Sequence, residues 1–181
     1  MNTALVLVDI QNDYFPGGAM SLVGMAAAAA QAARALAHAR NKGWAIVHIQ
    51  HHSVRPDASF FIPGSAGAEH HPSVTPASDE TVVVKHFPNA FRDSSLGAVL
   101  SVNDVSQLVI CGAMSHMCID ATTRAAFDAG FLCTVLSDAC ATRDLAYNGE
   151  IVPAAQVHAA FMAALAAPFA QVTSTDALLA E

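Results

Sequence analysis

The chain has 181 residues, of which 54% are apolar and 13% are charged. This size and composition predict one globular domain over residues 1–181 with a substantial buried core, and they exclude a disordered chain. The formal net charge of −7 and the lack of Lys/Arg-rich runs argue against a partner bound through nucleic-acid phosphates.

The start of the chain and its cysteines indicate a cellular compartment. The first ten residues, MNTALVLVDI, enter a strand-like run without a basic segment or a small-residue cleavage site. The Ala-rich stretch MAAAAAQAARALAHAR is interrupted by Gln, Arg and His, so no membrane span is expected there. The cysteines are expected to be reduced thiols, and the chain is therefore predicted to be cytoplasmic; they are Cys111, Cys118, Cys133 and Cys140.

Short apolar runs alternate with helix-like segments along the chain. Strands are predicted at Ala4–Ile10, Trp44–Gln50, Thr81–Lys85, Gln107–Gly112 and Phe131–Ser137, and FAQVTS leads to a short last strand. Helices are predicted at Met25–Asn41, near Ser94–Leu100, at Cys118–Ala129 and at Pro153–Leu165. Residues 51–80, rich in His, Pro, Ser and Gly, form one long loop, a kind of loop that is usually functional. The alternation predicts an α/β fold with a parallel sheet covered on both faces.

Three chemically active residues are predicted to meet at one edge of this sheet. Asp9 and Lys85 end the first and third strands, and Cys118 follows the fourth strand after one turn. The carboxyl ends of parallel strands share an edge, where such sheets bind ligands. A helix N-terminus would lower the pKa of the Cys118 thiol, and a neighbouring carboxylate would take and return its proton. The N–H groups of Met114 and Cys118 would face a developing oxyanion.

Each of these residues alone has a simpler interpretation. An aspartate at a strand end commonly caps a turn, a lysine is commonly a solvated charge, and a free cysteine commonly behaves as a small buried apolar residue. Cys111, Cys133 and Cys140 are assigned to that last class. Only the convergence of Asp9, Lys85 and Cys118 predicts a cysteine-based site.

Three motifs resemble the isochorismatase-like cysteine hydrolases, a superfamily that includes nicotinamidases, N-carbamoylsarcosine amidases and isochorismatases. They are LVLVDIQNDYFPGGAM, VVVKHFPNAF, and VICGAMSHMCIDATTRAAFDAGF followed by SDACAT. The resemblance implies a three-layer α/β/α fold with a six-stranded parallel sheet of order 3-2-1-4-5-6. It places the catalytic residues at Asp9, Lys85 and Cys118. It also implies a cis peptide between Ala113 and Met114, and an oxyanion hole at Ala113, Met114 and Cys118.

The resemblance leaves the chemistry open between two branches. Amidases of the superfamily attack a carbonyl with the thiol, pass through a thioester acyl-enzyme and release ammonia or an amine. Isochorismatases cleave a vinyl ether with the aspartate as the acid, and some lack the cysteine. Because Cys118 is present, the expected function is a cysteine hydrolase of a C–N bond in a small amide or ureide. The alternatives are a vinyl-ether hydrolase with Asp9 as general acid, or a non-catalytic binding protein.

The metal site that nicotinamidases carry is not expected in this chain. Their Asp-x-His motif after the second strand reads His51-x-Ser53 here, so nicotinamide is expected to be a poor substrate. Neighbouring residues of an extended segment point in opposite directions, so the pairs His51/His52 and His70/His71 are not expected to bind zinc. No metal and no cofactor is predicted.

The residues expected to line the substrate pocket follow the resemblance and the predicted sheet edge. They are Phe15, His51, Asn89, Phe91, His116 and Met117. No G-x-G-x-x-G follows a strand, no P-loop is present, and Ser115 lacks a G-x-S-x-G context. Dinucleotide oxidoreductases and α/β-type serine hydrolases are thus disfavoured. The resemblance further implies a homo-dimer or homo-tetramer.

Overall fold

The computed structural model describes residues 2–180 and contains a parallel sheet of six strands in the order β3-β2-β1-β4-β5-β8. Its strands are β1 (Asn2–Val8), β2 (Ala45–His51), β3 (Thr81–Lys85), β4 (Val105–Ala113), β5 (Leu132–Ala141) and β8 (Gln171–Thr173). A separate antiparallel hairpin precedes the last of these and consists of β6 (Leu145–Tyr147) and β7 (Glu150–Val152). The predicted order 3-2-1-4-5-6 is therefore confirmed, with β8 as the sixth strand of the sheet.

Within residues 2–180, five α-helices cover the two faces of the sheet. They are α1 (Met25–Lys42), α2 (Leu96–Val102), α3 (Asp120–Asp128), α4 (Ala154–Leu165) and α5 (Thr175–Leu179). One apolar core lies between the sheet and α1 with α5, and a second lies between the sheet and α2, α3 and α4. Two cores on opposite faces make the predicted three-layer α/β/α arrangement, which is confirmed. None of the helices in residues 2–180 combines the length and the apolar character needed to cross a membrane.

Small side chains let α1 approach the sheet closely. Its buried face is mostly alanine, including Ala28, Ala32 and Ala35. The helix begins at the predicted Met25 and ends at Gly43, which has φ 65° and donates its N–H to the carbonyl oxygens of the last turn. This ending starts β2 directly beside β1, in register from Ala4 opposite Ala45.

The contact between β1 and β4 depends on a glycine. Gly112 pairs with Val8 and has φ 125°, and a Cβ there would lie 2.0 Å from the Val8 carbonyl oxygen. Only glycine tolerates both the conformation and the close approach. The register of β4 against β5 shifts at the same point, between Ile110 and Gly112. The turn that carries Cys118 therefore leaves the sheet from a bulged, tightly packed strand end.

The structure contains a helix that was not predicted, α5, and differs from the predicted elements in three other main respects. The helix predicted from Cys118 is instead a π-helical turn, Ser115–Ile119, followed by α3. Strand β5 continues to Ala141, beyond the predicted end at Ser137, because its last residues pair with Gly112 and Ala113 of β4. The hairpin of β6 and β7 turns through Asn148 and Gly149, both with positive φ, which is the Asn-Gly signal of a tight hairpin.

Candidate active site

The ends of three elements bring Asp9, Lys85 and Cys118 into one buried cluster. Asp9 follows β1, Lys85 is the last residue of β3, and Cys118 lies in the π-helical turn after β4. The Lys85 Nζ is 2.7 Å from Asp9 Oδ2 and 3.2 Å from Cys118 Sγ. Asp9 and Lys85 are fully buried, and Cys118 is 3% exposed. The predicted convergence at the carboxyl edge of the sheet is thus present in the structure.

The three N–H bonds of the Lys85 ammonium group are all used. They donate to His51 Nδ1 at 2.8 Å, to the Phe87 carbonyl oxygen at 3.1 Å and to Cys118 Sγ at 3.2 Å. The contact with Asp9 is a close ion pair rather than an aligned hydrogen bond, and neither Asp9 carboxylate oxygen has a hydrogen-bond partner in residues 2–180. The Asp9 carboxylate is therefore buried, in ion-pair contact with Lys85 and not held by an aligned hydrogen bond.

Electrostatics keep Lys85 protonated and His51 neutral. Burial acts to lower the pKa of Lys85, but the attraction of Asp9 and of Cys118 outweighs it, so the pKa is raised. Burial lowers the pKa of His51 to about 4, with Asp9 opposing and Lys85 reinforcing the shift. A neutral His51 ring that accepts from Lys85 at Nδ1 carries its proton on Nε2.

Cys118 does not have the lowered pKa that was predicted from a helix N-terminus. Burial raises the pKa of its thiol, the Asp9 carboxylate raises it further, and Lys85 only partly compensates. That expectation was wrong for two physical reasons. The sulfur is almost completely removed from water, and it lies inside a π-helical turn rather than at the first turn of α3.

Hydrogen bonds from two directions hold the turn that carries Cys118. The Met114 carbonyl accepts the N–H groups of Met117 and Ile119, at 3.0 and 3.2 Å. The Ser115 hydroxyl lies 3.3 Å from the Ala141 carbonyl oxygen and 2.9 Å from His158 Nδ1. The Ala113–Met114 peptide bond is cis.

The predicted oxyanion hole consists of Ala113, Met114 and Cys118. The Met114 N–H has no acceptor within residues 2–180, and the Cys118 N–H has none outside its own turn. The Met114 N–H is therefore available to an oxyanion, whereas Ala113, the last residue of β4, is fully buried. The role of these groups stays a prediction.

Two further residues of the DIQND motif organise the site and were missed in the sequence. Gln11, fully buried, accepts the His51 N–H and donates to the carbonyl oxygens of His51 and Ala68. The carboxylate of Asp13 accepts the Phe61 N–H at 2.6 Å. Gln11 thus fixes the end of β2, and Asp13 fixes the loop of residues 51–80 against the front of the chain. The signal available was the presence of two more polar residues within one short motif.

One set of potential metal ligands occurs at the site, and a lysine already occupies its centre. Single ligand atoms of Asp9, His51 and Cys118 lie within 4.8 Å of one another. The Lys85 Nζ contacts all three at hydrogen-bond or ion-pair distance. Its ammonium group therefore stands where a cation bound by these atoms would have to lie.

The four histidines of the predicted loop have separate environments. His51 faces Lys85, and the His52 carbonyl accepts from His86. His70 packs edge-on against His48, and burial lowers the pKa of His70 to about 4. His71 stacks on Phe15 at 3.5 Å between ring centroids.

Three residues of the predicted pocket pack against, or form hydrogen bonds with, other residues of the protein. Phe15 stacks on His71 and borders an outer cleft with Pro16 and Gly17. Asn89 accepts the Phe91 N–H, and Phe91 packs against Phe131 in the second core. A contribution of Phe15, Asn89 and Phe91 to substrate binding stays a prediction.

Two residues of the predicted pocket, His116 and Met117, lie in the turn that carries Cys118. Met117, next to Cys118, is 39% exposed. His116 Nδ1 lies 2.6 Å from the Thr142 hydroxyl. Tyr14 is buried, and burial raises the pKa of its phenol, with Cys118 and Asp9 acting in the same direction.

Comparison with known proteins identifies the class to which this fold and site belong. The isochorismatase domain model matches residues 3–177. The chain belongs to the isochorismatase family of hydrolases.

Similar proteins match most or nearly all of the length of this chain. The isochorismatase family protein YddQ of Bacillus subtilis (strain 168) is 50% identical over 179 residues, which is 99% of each chain. A crystal structure of an isochorismatase hydrolase from Oleispira antarctica has a TM-score of 0.96 and 54% identity, and the match covers 99% of this chain and 97% of that one. The maleamate amidohydrolase of Pseudomonas putida is 28% identical over 157 residues, 77% of this chain and 72% of that protein.

Proposed function

We propose that this hydrolase cleaves a C–N bond of a small amide or ureide through a thioester on Cys118. The observation that carries the proposal is the contact of Lys85 with Asp9 and Cys118 in one buried cluster. A relative that matches 77% of this chain is named a maleamate amidohydrolase, and that name describes cleavage of a C–N bond. No metal or cofactor takes part in the steps proposed.

The first step is proton transfer from the Cys118 thiol to Asp9. Burial favours the neutral thiol, so the thiolate forms only as the proton moves to the Asp9 carboxylate, which has no aligned hydrogen bond in residues 2–180. The Lys85 ammonium group, which already donates to Sγ, stabilises the thiolate as it forms. A buried base and a fixed cation therefore replace a lowered resting pKa as the means of activation.

The remaining steps follow from the same proton on Asp9. The sulfur attacks the carbonyl carbon, and the N–H groups of Met114 and Cys118 receive the oxyanion. Asp9 returns the proton to the nitrogen, the C–N bond breaks, and ammonia or an amine leaves. Water then attacks the thioester, gives its proton to Asp9, and the acid leaves as the Cys118 thiol is restored.

A second function, vinyl-ether hydrolysis with Asp9 as general acid, uses the same aspartate. Its support is that Asp9 is fully buried and that neither of its carboxylate oxygens has a hydrogen-bond partner in residues 2–180, which leaves them open to a substrate. The hydrogen bond from Lys85 to Cys118 has no purpose in that reaction, so the C–N reaction is preferred.

A substrate screen separates the two reactions. Small amides, ureides, nicotinamide and isochorismate are incubated with the enzyme, and ammonia and pyruvate are measured separately. We expect ammonia from at least one amide or ureide, little from nicotinamide, and no pyruvate. Release of pyruvate from isochorismate without any ammonia would move the assignment to the vinyl-ether reaction.

Two further parts of the proposal concern assembly and compartment. Exposed apolar side chains on the hairpin, Tyr147 at 73% and Ile151 at 63% exposure, support a homo-dimer or homo-tetramer. All four cysteines are free thiols, which supports a reducing, cytoplasmic location.

A further inference from the structure

The two edge strands of the sheet differ in how they are protected from further pairing. Natural edge strands are commonly protected by shortness, proline, an exposed lysine or a bulge. Strand β8 has only three residues and closely follows Pro168. Strand β3 has five residues, contains no proline, and pairs with β2 in an unbroken register. Its one lysine, Lys85, is fully buried, so β3 is the less protected edge.

The hydrogen bonds of β3 leave one set of main-chain groups pointing outward. The His52 N–H donates to the Lys85 carbonyl oxygen at 2.9 Å, so Lys85 bonds to the β2 side. In a parallel pair, successive residues of an edge strand alternate between bonding to the neighbour and facing away. Val83 therefore also bonds to β2, whereas Val82 and Val84 face away. Within residues 2–180, the N–H and C=O groups of Val82 and Val84 have no hydrogen-bond partner.

The side chains of the same two residues are exposed. Val82 is 42% and Val84 is 40% exposed, and both point to one face of the sheet because they are two positions apart. Val83 points to the other face and is buried in the core that includes α2. Strand β3 thus combines free main-chain groups with an apolar surface, which favours pairing with another strand.

The positions of these two residues make the edge complementary to itself. In an antiparallel pair of two β3 strands with a two-fold axis at Val83, Val82 of each copy lies opposite Val84 of the other. Both residues face outward, so each such pair exchanges two N–H···O=C hydrogen bonds. The free main-chain groups of Val82 and Val84 are then all satisfied, and their side chains contact one another across the two strands.

The charges at the two ends of β3 favour the same arrangement. Asp79 and Glu80 precede the strand, and His86 and Arg92 follow it, with the Arg92 guanidinium 3.6 Å from the centre of the Phe87 ring. The antiparallel pair places Glu80 opposite His86 and Asp79 opposite Phe87, next to Arg92. A parallel pair would instead place the two acidic ends side by side, and adjacent like charges destabilise a sheet.

We propose that β3 binds β3 of a second copy of this chain, antiparallel about Val83, so that two six-stranded sheets join into one. This inference rests on the proposed self-assembly and adds a surface to it, and it is independent of the C–N chemistry. The hairpin of β6 and β7 is a separate surface. A chain that uses both surfaces closes into a tetramer with two-fold axes.

Mass in solution tests the proposal, because the pairing groups can be changed without removing a hydrogen bond inside the chain. Val84→Pro removes an N–H that faces away from β2, and Val82→Lys places a charge in the apolar surface. The matched control Val102→Lys adds the same charge at an exposed valine at the end of α2. Ile151→Ser alters the hairpin. Sedimentation equilibrium gives the mass of each protein, and circular dichroism checks that it is folded.

We expect Val84→Pro and Val82→Lys each to halve the mass of the native enzyme, and Val102→Lys to leave it unchanged. A monomeric native enzyme overturns the proposal, as does a native mass kept by either folded β3 variant. An equal loss of mass in Val102→Lys also overturns it, because added charge alone would then explain the effect. If Ile151→Ser halves the mass and the β3 variants do not, self-assembly stands with the hairpin as its surface, and the inference about β3 fails.

Hydrogen exchange of the native enzyme covers the case in which a β3 variant does not fold. The N–H groups of Val82 and Val84 face away from β2, so in a lone chain they exchange as exposed amides do, whereas the proposed pair protects them. Deuterium uptake at these two amides is measured by mass spectrometry with fragmentation of the peptide that contains Thr81–Lys85. Protection of both amides upholds the pairing of β3, and fast exchange at both or at either overturns it.

Discussion

Two buried acidic side chains at opposite ends of β3 differ in how far the protein satisfies them. Glu80, just before β3, accepts from Arg40 at 2.7 and 3.0 Å, from His48 Nε2 at 2.9 Å and from the Ala77 N–H at 2.8 Å. Asp9, facing the last residue of β3, has an ion pair with Lys85 and no aligned hydrogen bond to any residue from 2 to 180. Both ion pairs are close, so distance does not distinguish them.

The difference in hydrogen bonding separates a structural acid from a reactive one. Four donors hold Glu80 ionised, and the hydrogen bonds from Arg40 lead in lowering its pKa to about 2. A carboxylate so satisfied cannot take a proton near neutral pH. Asp9 keeps both carboxylate oxygens without a hydrogen-bond partner in residues 2–180, so they remain open to a proton from a substrate or from Cys118. The carboxylate that lacks hydrogen-bond partners in residues 2–180 is therefore the one to which the chemistry is assigned.

The largest effect is expected when Lys85 is replaced by methionine. Lys85→Met leaves a buried Asp9 charge without its partner, and we expect a loss of about 3–5 kcal/mol in the free energy of unfolding together with loss of activity. Urea unfolding measures the first quantity. The double variant Asp9→Asn/Lys85→Met should recover part of the stability and none of the activity.

The control for this variant is Lys42→Met, which removes an exposed cation. It should change stability by no more than about 0.5 kcal/mol. If Lys85→Met were as stable as this control, Asp9 would not be charged in the native enzyme.

A smaller effect is expected at the other end of β3. Glu80→Gln should lower the free energy of unfolding by about 1–2 kcal/mol at pH 7. This is less than its pKa shift alone would give, because Arg40 is 42% exposed and its charge is screened by water. Activity should remain within about twofold of the native enzyme. A loss of activity comparable with that of Lys85→Met would show that the two acids are not separate in function.

The smallest difference in stability is expected between the native enzyme and Glu80→Gln at acid pH. The folded pKa of Glu80 is below its usual 4.5, so the stabilisation is fully present above about pH 4.5 and is lost as the pH falls toward about 2. The gap between native enzyme and Glu80→Gln should therefore close over that window, as measured by melting temperature against pH. A gap that stayed constant down to pH 2 would indicate that Glu80 acts through packing instead of charge.

The sequence was sufficient for features with a regular pattern. Apolar strand periodicity located the six sheet strands, with the bounds of β3 and the first residue of α1 correct. The resemblance supplied the order of the sheet, which local pattern alone does not contain. Asp9, Lys85 and Cys118 were found because strand ends of a parallel sheet share an edge.

Features that depend on tertiary contacts were missed. The hairpin of β6 and β7 has three-residue strands, too short for a periodic signal, and its Asn-Gly turn was overlooked. The roles of Gln11 and Asp13 depend on loop residues more than 40 positions away, Ala68 and Phe61. The raised pKa of Cys118 depends on burial and on Asp9, which helix position does not encode.

The most direct test of the central claim is the mass of the Cys118 peptide during turnover. An amide found in the screen is mixed with enzyme, quenched in acid and digested. The account predicts an adduct on Cys118 equal to the substrate less ammonia in the native enzyme, and neither adduct nor ammonia from a normally folded Cys118→Ala. A Cys118→Ala enzyme that releases ammonia at the native rate would contradict it.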